Sequence, residues 1–374
     1  MYFLDAEFLG FVVVWVALYW LLGARLRNFV LLAGNVVWLS VFSLPTLIAL
    51  SALIIGVIYP TVVLGTRAYQ ATRAQRANAI AWIGVVAMIT IATALRLQKY
   101  WFPMIGNPHA DIGILRWIGF SYFLLKAIHV MRATARGIVG KPSLTDVLQY
   151  FLFLPTLTSG PLYRVDVFAA QLSAPKSVTW GDVHDGAVRV LLGLGKKVVI
   201  AQQLGKLTGA LHAHSVWQPA AYPVTYLILF IDFSGYTDIA IGMGRLLGFS
   251  VPENFKHPFT STTLTQFWRN WHATLSDWLR ENVFVPMGGM RATGWKLSAL
   301  VLFSMFIVGV WHAYQLKFIL WGLYHGGLLL IENALDIKPL RTHRTPRWRL
   351  WLRYALVQIA VMGGMFAFIG SDLG

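Results

Sequence analysis

Residues Phe29–Gly65 read FVLLAGNVVWLSVFSLPTLIALSALIIGVIYPTVVLG, a stretch without one charged side chain. A helix needs about 20 apolar residues to cross the hydrocarbon core of a bilayer, so this stretch holds two spans. Ser43-Leu44-Pro45 marks the turn between them. Upstream, an apolar run from Phe8 to Gly23 is followed by Arg25 and Arg27; downstream come Arg67, Arg73 and Arg76. An N-terminus outside the membrane puts both basic clusters inside, as the positive-inside rule requires. A fourth run, Ile80–Leu95, leads to a loop with Trp101, Pro103 and Pro108. A fifth, Ile112–Met131, returns to Arg132, Arg136 and Lys141. That is a third agreement with the same orientation.

Further apolar runs lie at 147–163, 186–202, 219–249, 297–311, 316–335 and 351–370. The sequence predicts an all-α polytopic membrane protein of about ten spans in one integral domain over 1–374. It divides into N-terminal helices (1–140), a core with interrupted segments (147–335) and a last span (351–370). Gly and Pro interrupt several runs, which membrane proteins tolerate where the backbone is buried or lines a cavity. No fixed-period or inverted repeat is visible, which counts against a secondary transporter.

Composition agrees. Of 374 residues 57% are hydrophobic and 12% charged, with a mean hydropathy of +0.61; a soluble domain carries about a quarter charged residues. An outer-membrane barrel would show short alternating segments instead. The net charge of +16 sits between apolar runs, where loops on the cytoplasmic side are expected to be cationic. It lines no basic face with a reading motif, so nucleic acid is not an expected partner. There is no cysteine, which excludes disulfides and an acyl-cysteine intermediate. No basic region precedes the first run and no small-residue cleavage site follows it, so a retained first span is expected.

Residues 252–290 break the pattern: PENFKHPFTSTTLTQFWRNWHATLSDWLRENVFVPMGGM, polar and aromatic together. Thr265, Phe267, Trp268, Trp271, Leu275, Trp278 and Leu279 recur at helical spacing, with Arg269, Asp277, Arg280 and Glu281 between them. The pattern predicts an amphipathic helix at the interface or lining a cavity, with Thr262 or Thr263 as its cap.

Of ten histidines, His109, His212, His214 and His343 fall in expected loops and read as surface residues. His129 reads as a packing residue, and His184, after Asp182, as local. His257 lies in the 252–290 segment, and three others are singled out: His272 within Trp268-Arg269-Asn270-Trp271-His272, His312 after Gly309-Val310-Trp311, and His325 in Leu323-Tyr324-His325-Gly326. An ionisable side chain at membrane depth is costly unless paired or wetted, so each is a functional candidate beside its structural reading. No Gly-x-Ser-x-Gly elbow and no His-Glu-x-x-His are present. Gly242, Gly244 and Gly248 miss the dinucleotide spacing and suit close helix packing. Direct acyl transfer survives: a neutral imidazole takes the proton of an acceptor hydroxyl as it attacks a thioester or ester.

Asp232-Phe233-Ser234-Gly235-Tyr236-Thr237-Asp238, Pro252-Glu253-Asn254-Phe255, Phe267-Trp268-Arg269-Asn270-Trp271-His272 with Leu275-Ser276, and Pro286-Met287-Gly288-Gly289 together resemble the bacterial membrane-bound O-acyltransferase family. Gly309-Val310-Trp311-His312 and Trp321-Gly322-Leu323-Tyr324-His325-Gly326 come next, in that family's order and spacing. Leu154-Pro155-Thr156 and Ser159-Gly160-Pro161 resemble its re-entrant segment. The resemblance implies a multi-helix fold around a central tunnel, His312 as the catalytic histidine and His272 as a second histidine of the same funnel. Trp311, Trp268, Arg269, Trp271, Asn270, Ser276, Asp238, Tyr236 and His325 become candidates for lining or supporting it. Ala313 stands where the family has glycine, which predicts a stiffer turn after the Trp-His pair. Asp232, Asp238 and Arg245 suggest an internal polar network.

The family implies no metal and no permanently bound cofactor, only a thioester donor: acetyl-CoA, or an acyl or D-alanyl carrier protein on the cytoplasmic side. It implies a bacterial inner-membrane enzyme that passes its acyl group to a periplasmic partner. Arg27-Asn28, Pro252-Glu253-Asn254-Phe255 and Met287-Gly288-Gly289 lean towards the alginate-type O-acetylases. The short length and Pro155-Thr156 with Ser159-Gly160-Pro161 lean towards the D-alanyl transfer proteins. A channel or transporter without acyl chemistry, its buried His and Asp forming a path, is the rival of a different class.

Overall fold

The computed structural model describes residues 6–23, 25–97, 119–174, 177–212, 218–341 and 343–367. Trp101, Pro103, Pro108, His109, His214, the first part of the fifth expected span and the end of the last lie outside them. The described residues are overwhelmingly helical and contain no sheet. Among the described residues five helical stretches are long and apolar enough to cross a membrane: 27–70, 74–96, 220–246, 294–312 and 347–367. The chain is a multi-pass membrane protein. Two compact units divide it, 1–190 with 240–251, and 191–239 with 252–374.

The first unit begins with α1 (Ala6–Leu21), α2 (Arg27–Leu53) and, after a π-helical turn, α3 (Tyr59–Gln70). The break expected at Ser43-Leu44-Pro45 is present. Ser43 leaves the helical region (φ −164°, ψ 92°), and its hydroxyl accepts from Thr46 N at 3.3 Å. Ser43 therefore caps the second half of α2, and Pro45 falls in the first turn of that half, where its missing N–H costs nothing. Then come α4 (Ala74–Arg96) and α5 (Phe120–Ala135).

The run 147–163, read as a span, takes another form. The Ser143–Asp146 capping box starts a nine-residue helix, α6 (Leu144–Leu152). At 1.5 Å per residue it rises roughly 14 Å, less than half a bilayer core. The chain beyond it is irregular yet buried from Phe153 to Thr158. Buried irregular backbone needs partners. Asn35 Oδ1 accepts from Leu154 N at 2.8 Å, and Tyr150 donates its hydroxyl to the Tyr163 carbonyl at 2.6 Å. The ammonium of Lys126, 2% exposed, donates to Tyr150 O at 3.0 Å and to Thr156 Oγ1 at 3.2 Å. This is a segment anchored inside the unit. α7 (Val165–Ser173) closes over it with Phe168 against Phe153. Next is α8 (Trp180–Leu194).

The second unit holds α9 (Gln202–His212), most of α10 (Gln218–Leu246), the short α11 (Leu264–Asn270) and α12 (Ala273–Leu279), and the long α13 (Gly294–His312), α14 (Leu316–Ala334) and α15 (Arg347–Met362). α13 and α14 touch backbone to backbone. A Cβ built on Gly309 would lie 2.3 Å from Phe318 O, and one on Gly322 would lie 2.4 Å from Met305 O. Small residues at a helix crossing allow this approach where lipid supplies no hydrophobic drive.

Candidate active site

His312 is the last residue of α13 and is half-buried. Ala313 after it is extended (φ −161°, ψ 152°), a conformation open to any residue. The stiffness expected of alanine there therefore carries no strain. Phe318 stacks on the imidazole at 5.8 Å (23°), and Trp321 meets it edge-on at 5.2 Å (85°). Trp311 lies between the two candidate histidines, 5.0 Å from the ring of His312 and 6.1 Å from that of His272. Trp321 continues the chain of rings to His325 at 4.9 Å, and Trp268 lies against both, at 5.5 Å and 4.8 Å. One half-buried imidazole thus sits in an aromatic cage with a buried imidazole to either side.

His272 reaches this place through a backbone break. The pattern predicted one amphipathic helix across it; the structure has two short ones. Trp271 is extended (φ −94°, ψ 124°), and His272 is left-handed (φ 48°, ψ 51°). That region is rare for a residue with a Cβ and disfavoured sterically, and histidine is among the side chains enriched there. The cause is non-local. Phe255 forms an antiparallel bridge with Trp271, Lys256 N donates to Asn270 O at 2.9 Å and Ala273 N to Asn254 O at 2.8 Å. Asn254, fully buried, also accepts from Thr274 Oγ1 at 2.6 Å. As a result the His272 ring stands upright on Phe233 at 4.7 Å (90°). Burial, and then the neighbouring His312, hold its pKa far below the ordinary imidazole value.

The other candidates differ in their surroundings. Trp271 is stacked between Phe267 and Tyr226, each 5.5 Å away. Asn270 Nδ2 donates to Ser261 Oγ at 3.2 Å, and Ser276 Oγ donates to the Trp268 carbonyl at 2.5 Å, tying α12 back to α11. Thr263 caps α11 by accepting from Gln266 N at 3.1 Å, as the sequence suggested. Arg269 is exposed, and Tyr236 lies half-buried on α10. Asp238 pairs with Lys196 at 2.6 Å and Asp232 with Lys197 at 2.5 Å. Arg245 does not bridge these two aspartates; in the first unit it pairs with Asp182 (3.2 Å) and Asp185 (2.9 Å). His184 Nδ1 meets Asp185 at 3.1 Å, the local role expected of it.

Sequence reasoning missed Glu332, 6% exposed. Its two carboxylate oxygens accept from Leu264 N and, at 2.9 Å, from Thr265 N, the opening amides of α11. The available signal was an acid standing alone in the apolar Leu316–Ala334 run.

Fold and site define a helical membrane protein with three histidines gathered among tryptophans and no cysteine. Residues 68–366 match the membrane-bound O-acyltransferase (MBOAT) family, to which the chain therefore belongs. It is an acyltransferase. The chain is 29% identical over 381 residues to a probable alginate O-acetylase of Azotobacter vinelandii, covering 97% of this chain and 74% of that protein. It is 28% identical over 317 residues to a teichoic acid D-alanyltransferase of Bacillus subtilis, covering 79% and 80%. A peptidoglycan O-acetyltransferase of Helicobacter pylori is 31% identical over 224 residues, covering 56% and 42%.

Proposed function

We propose that this chain transfers an acyl group, acetyl by preference, towards hydroxyls of an exported cell-envelope polysaccharide, with His312 as general base. The observation that carries the reading is the half-buried imidazole of His312 at the end of α13, caged by Trp311, Phe318 and Trp321 with His272 beyond Trp311. A neutral ring nitrogen accepts the proton of the acceptor hydroxyl as its oxygen attacks the thioester carbonyl. The C–S bond breaks, and the imidazolium returns the proton to the departing thiolate. The aromatic cage restricts water, which limits hydrolysis of the donor. His272, kept neutral by burial, orders the funnel and takes no proton itself.

The charge bias of Arg25, Arg27, Arg67, Arg73 and Arg76 supports a cytoplasmic-membrane protein with its N-terminus outside. The donor, acetyl-CoA or a carrier-protein thioester, then arrives from inside, and a periplasmic partner or the polymer accepts outside. D-alanyl transfer is the second reading, favoured by the Bacillus subtilis relative, 80% of whose length the match spans. Purified protein in liposomes, offered labelled acetyl-CoA or a labelled D-alanyl carrier protein with polymer acceptor, separates them. Label passing from acetyl-CoA supports the first reading, and label passing only from the D-alanyl carrier replaces it with the second. Transfer of neither label overturns both readings of the donor.

A further inference from the structure

Helix α11 is seven residues long, too short to be stable by itself, so its place depends on what holds its ends. The first amides of a helix have no partner within it. Here Gln266 N is served by Thr263, while Leu264 N and Thr265 N are served by Glu332 from α14. Thr262 adds a second tie, its hydroxyl accepting from Leu340 N at 3.0 Å just beyond α14.

Glu332 lies seven residues after His325, two turns along the same face of α14. That face carries Trp321 against His312, His325 against Trp268, and Glu332 against the start of α11. Trp268 in turn lies three residues after Thr265, one turn up the face that Glu332 anchors. The carboxylate therefore sets the register of α11 along α14, and with it the position of the Trp271–His272 break relative to His312.

From this juxtaposition we infer that Glu332 is a positioning residue for the acyl-transfer site, holding the His272 segment in register with the helix that walls His312. The inference rests on the reading of His312 and His272 as the active site. Glu332 touches backbone amides and no reacting group. Its loss therefore misplaces the site without removing any of its chemistry.

The test uses Glu332→Ala and Glu332→Gln, the latter keeping one acceptor oxygen and the side-chain length. The native chain has no cysteine, so spin labels placed through Thr265→Cys and Ile331→Cys, both exposed positions, report the α11–α14 distance without background. In Glu332→Ala the dipolar broadening between the labels should weaken. Without labels, kcat per folded molecule should drop at least tenfold while donor KM changes less than about twofold, as loss of orientation predicts. Glu332→Gln should lie between wild type and Glu332→Ala on both readouts. Unchanged broadening in Glu332→Ala overturns the clamp. Weakened broadening with unchanged kcat reduces Glu332 to a structural residue and overturns the positioning role. A wild type inert towards every acyl donor sinks the proposed chemistry, and the broadening then decides the clamp by itself.

Discussion

Adding one methyl at Gly309 should separate the two helices that form the wall of His312. The Cβ of Gly309→Ala falls 2.3 Å from the Phe318 carbonyl oxygen and 3.1 Å from its carbon. Both are backbone atoms, so no side chain can swing away, and the contact must open to 3.0 Å or more. Overpacking of this kind costs about 1–3 kcal/mol. His312 is one turn beyond Gly309, while Phe318 and Trp321 belong to the opposite helix, so the displacement falls on the imidazole cage. A shift approaching 1 Å in a catalytic constellation costs up to about a hundredfold in rate. Thermal unfolding in detergent should show a lowered midpoint, and initial-rate acyl transfer a loss of tenfold or more. Gly327→Ala is the control: it lies in α14 with nothing within 4 Å of its Cβ, and helix propensity predicts about 0.5–1 kcal/mol of stabilisation. If Gly309→Ala melts and turns over like wild type, the close crossing does not hold the cage.

Three further outcomes rest on the same geometry. Burial holds the folded His272 pKa down to about 3, well below the unfolded value near 6.5, so the unfolded state binds more protons between them and stability falls as pH is lowered through that range; unfolding midpoints measured from pH 7 to 5 should fall less steeply in His272→Asn, and an unaltered slope refutes the assignment. Asn254→Ala strips the Thr274 hydroxyl of a 2.6 Å acceptor in a buried site and should cost about 1–3 kcal/mol, read as a lower melting midpoint with acyl transfer reduced beyond the folded fraction. Lys196→Met removes the ammonium 2.6 Å from buried Asp238, but Lys196 keeps a third of its exposure, so the loss should be about 1 kcal/mol, well short of that for a sealed pair; adding Asp238→Leu should restore part of it.

Features set by nearby residues were legible in the chain. The charge-free run 29–65 announced apolar helix long enough to cross a membrane, and Ser43 and Pro45 marked a break within it because capping and proline sterics act within a turn. Thr263 was readable as a cap for the same reason. The aromatic segment misled because its periodicity runs straight through Trp271 and His272. The break is imposed by Asn254 and Phe255, about seventeen residues upstream, and a period carries no trace of a bridge to another segment. The run 147–163 misled because hydropathy cannot tell a span from irregular backbone satisfied by Asn35 and Lys126, neither of them in that run. Asp232 and Asp238 were singled out with Arg245 as one network, but each pairs with its own lysine, unread in the sequence, and Arg245 belongs to Asp182 and Asp185.

The proposed chemistry stands or falls on the His312 imidazole moving the proton during acyl transfer, with His272 in a supporting place. Single-turnover transfer of a labelled acyl thioester in liposomes decides it, comparing wild type with His312→Ala and His272→Ala at equal folded protein. His312→Ala should show no transfer above the uncatalysed rate, and His272→Ala a reduced but measurable rate. Transfer by His312→Ala at the wild-type rate would take the proton-moving role away from that residue.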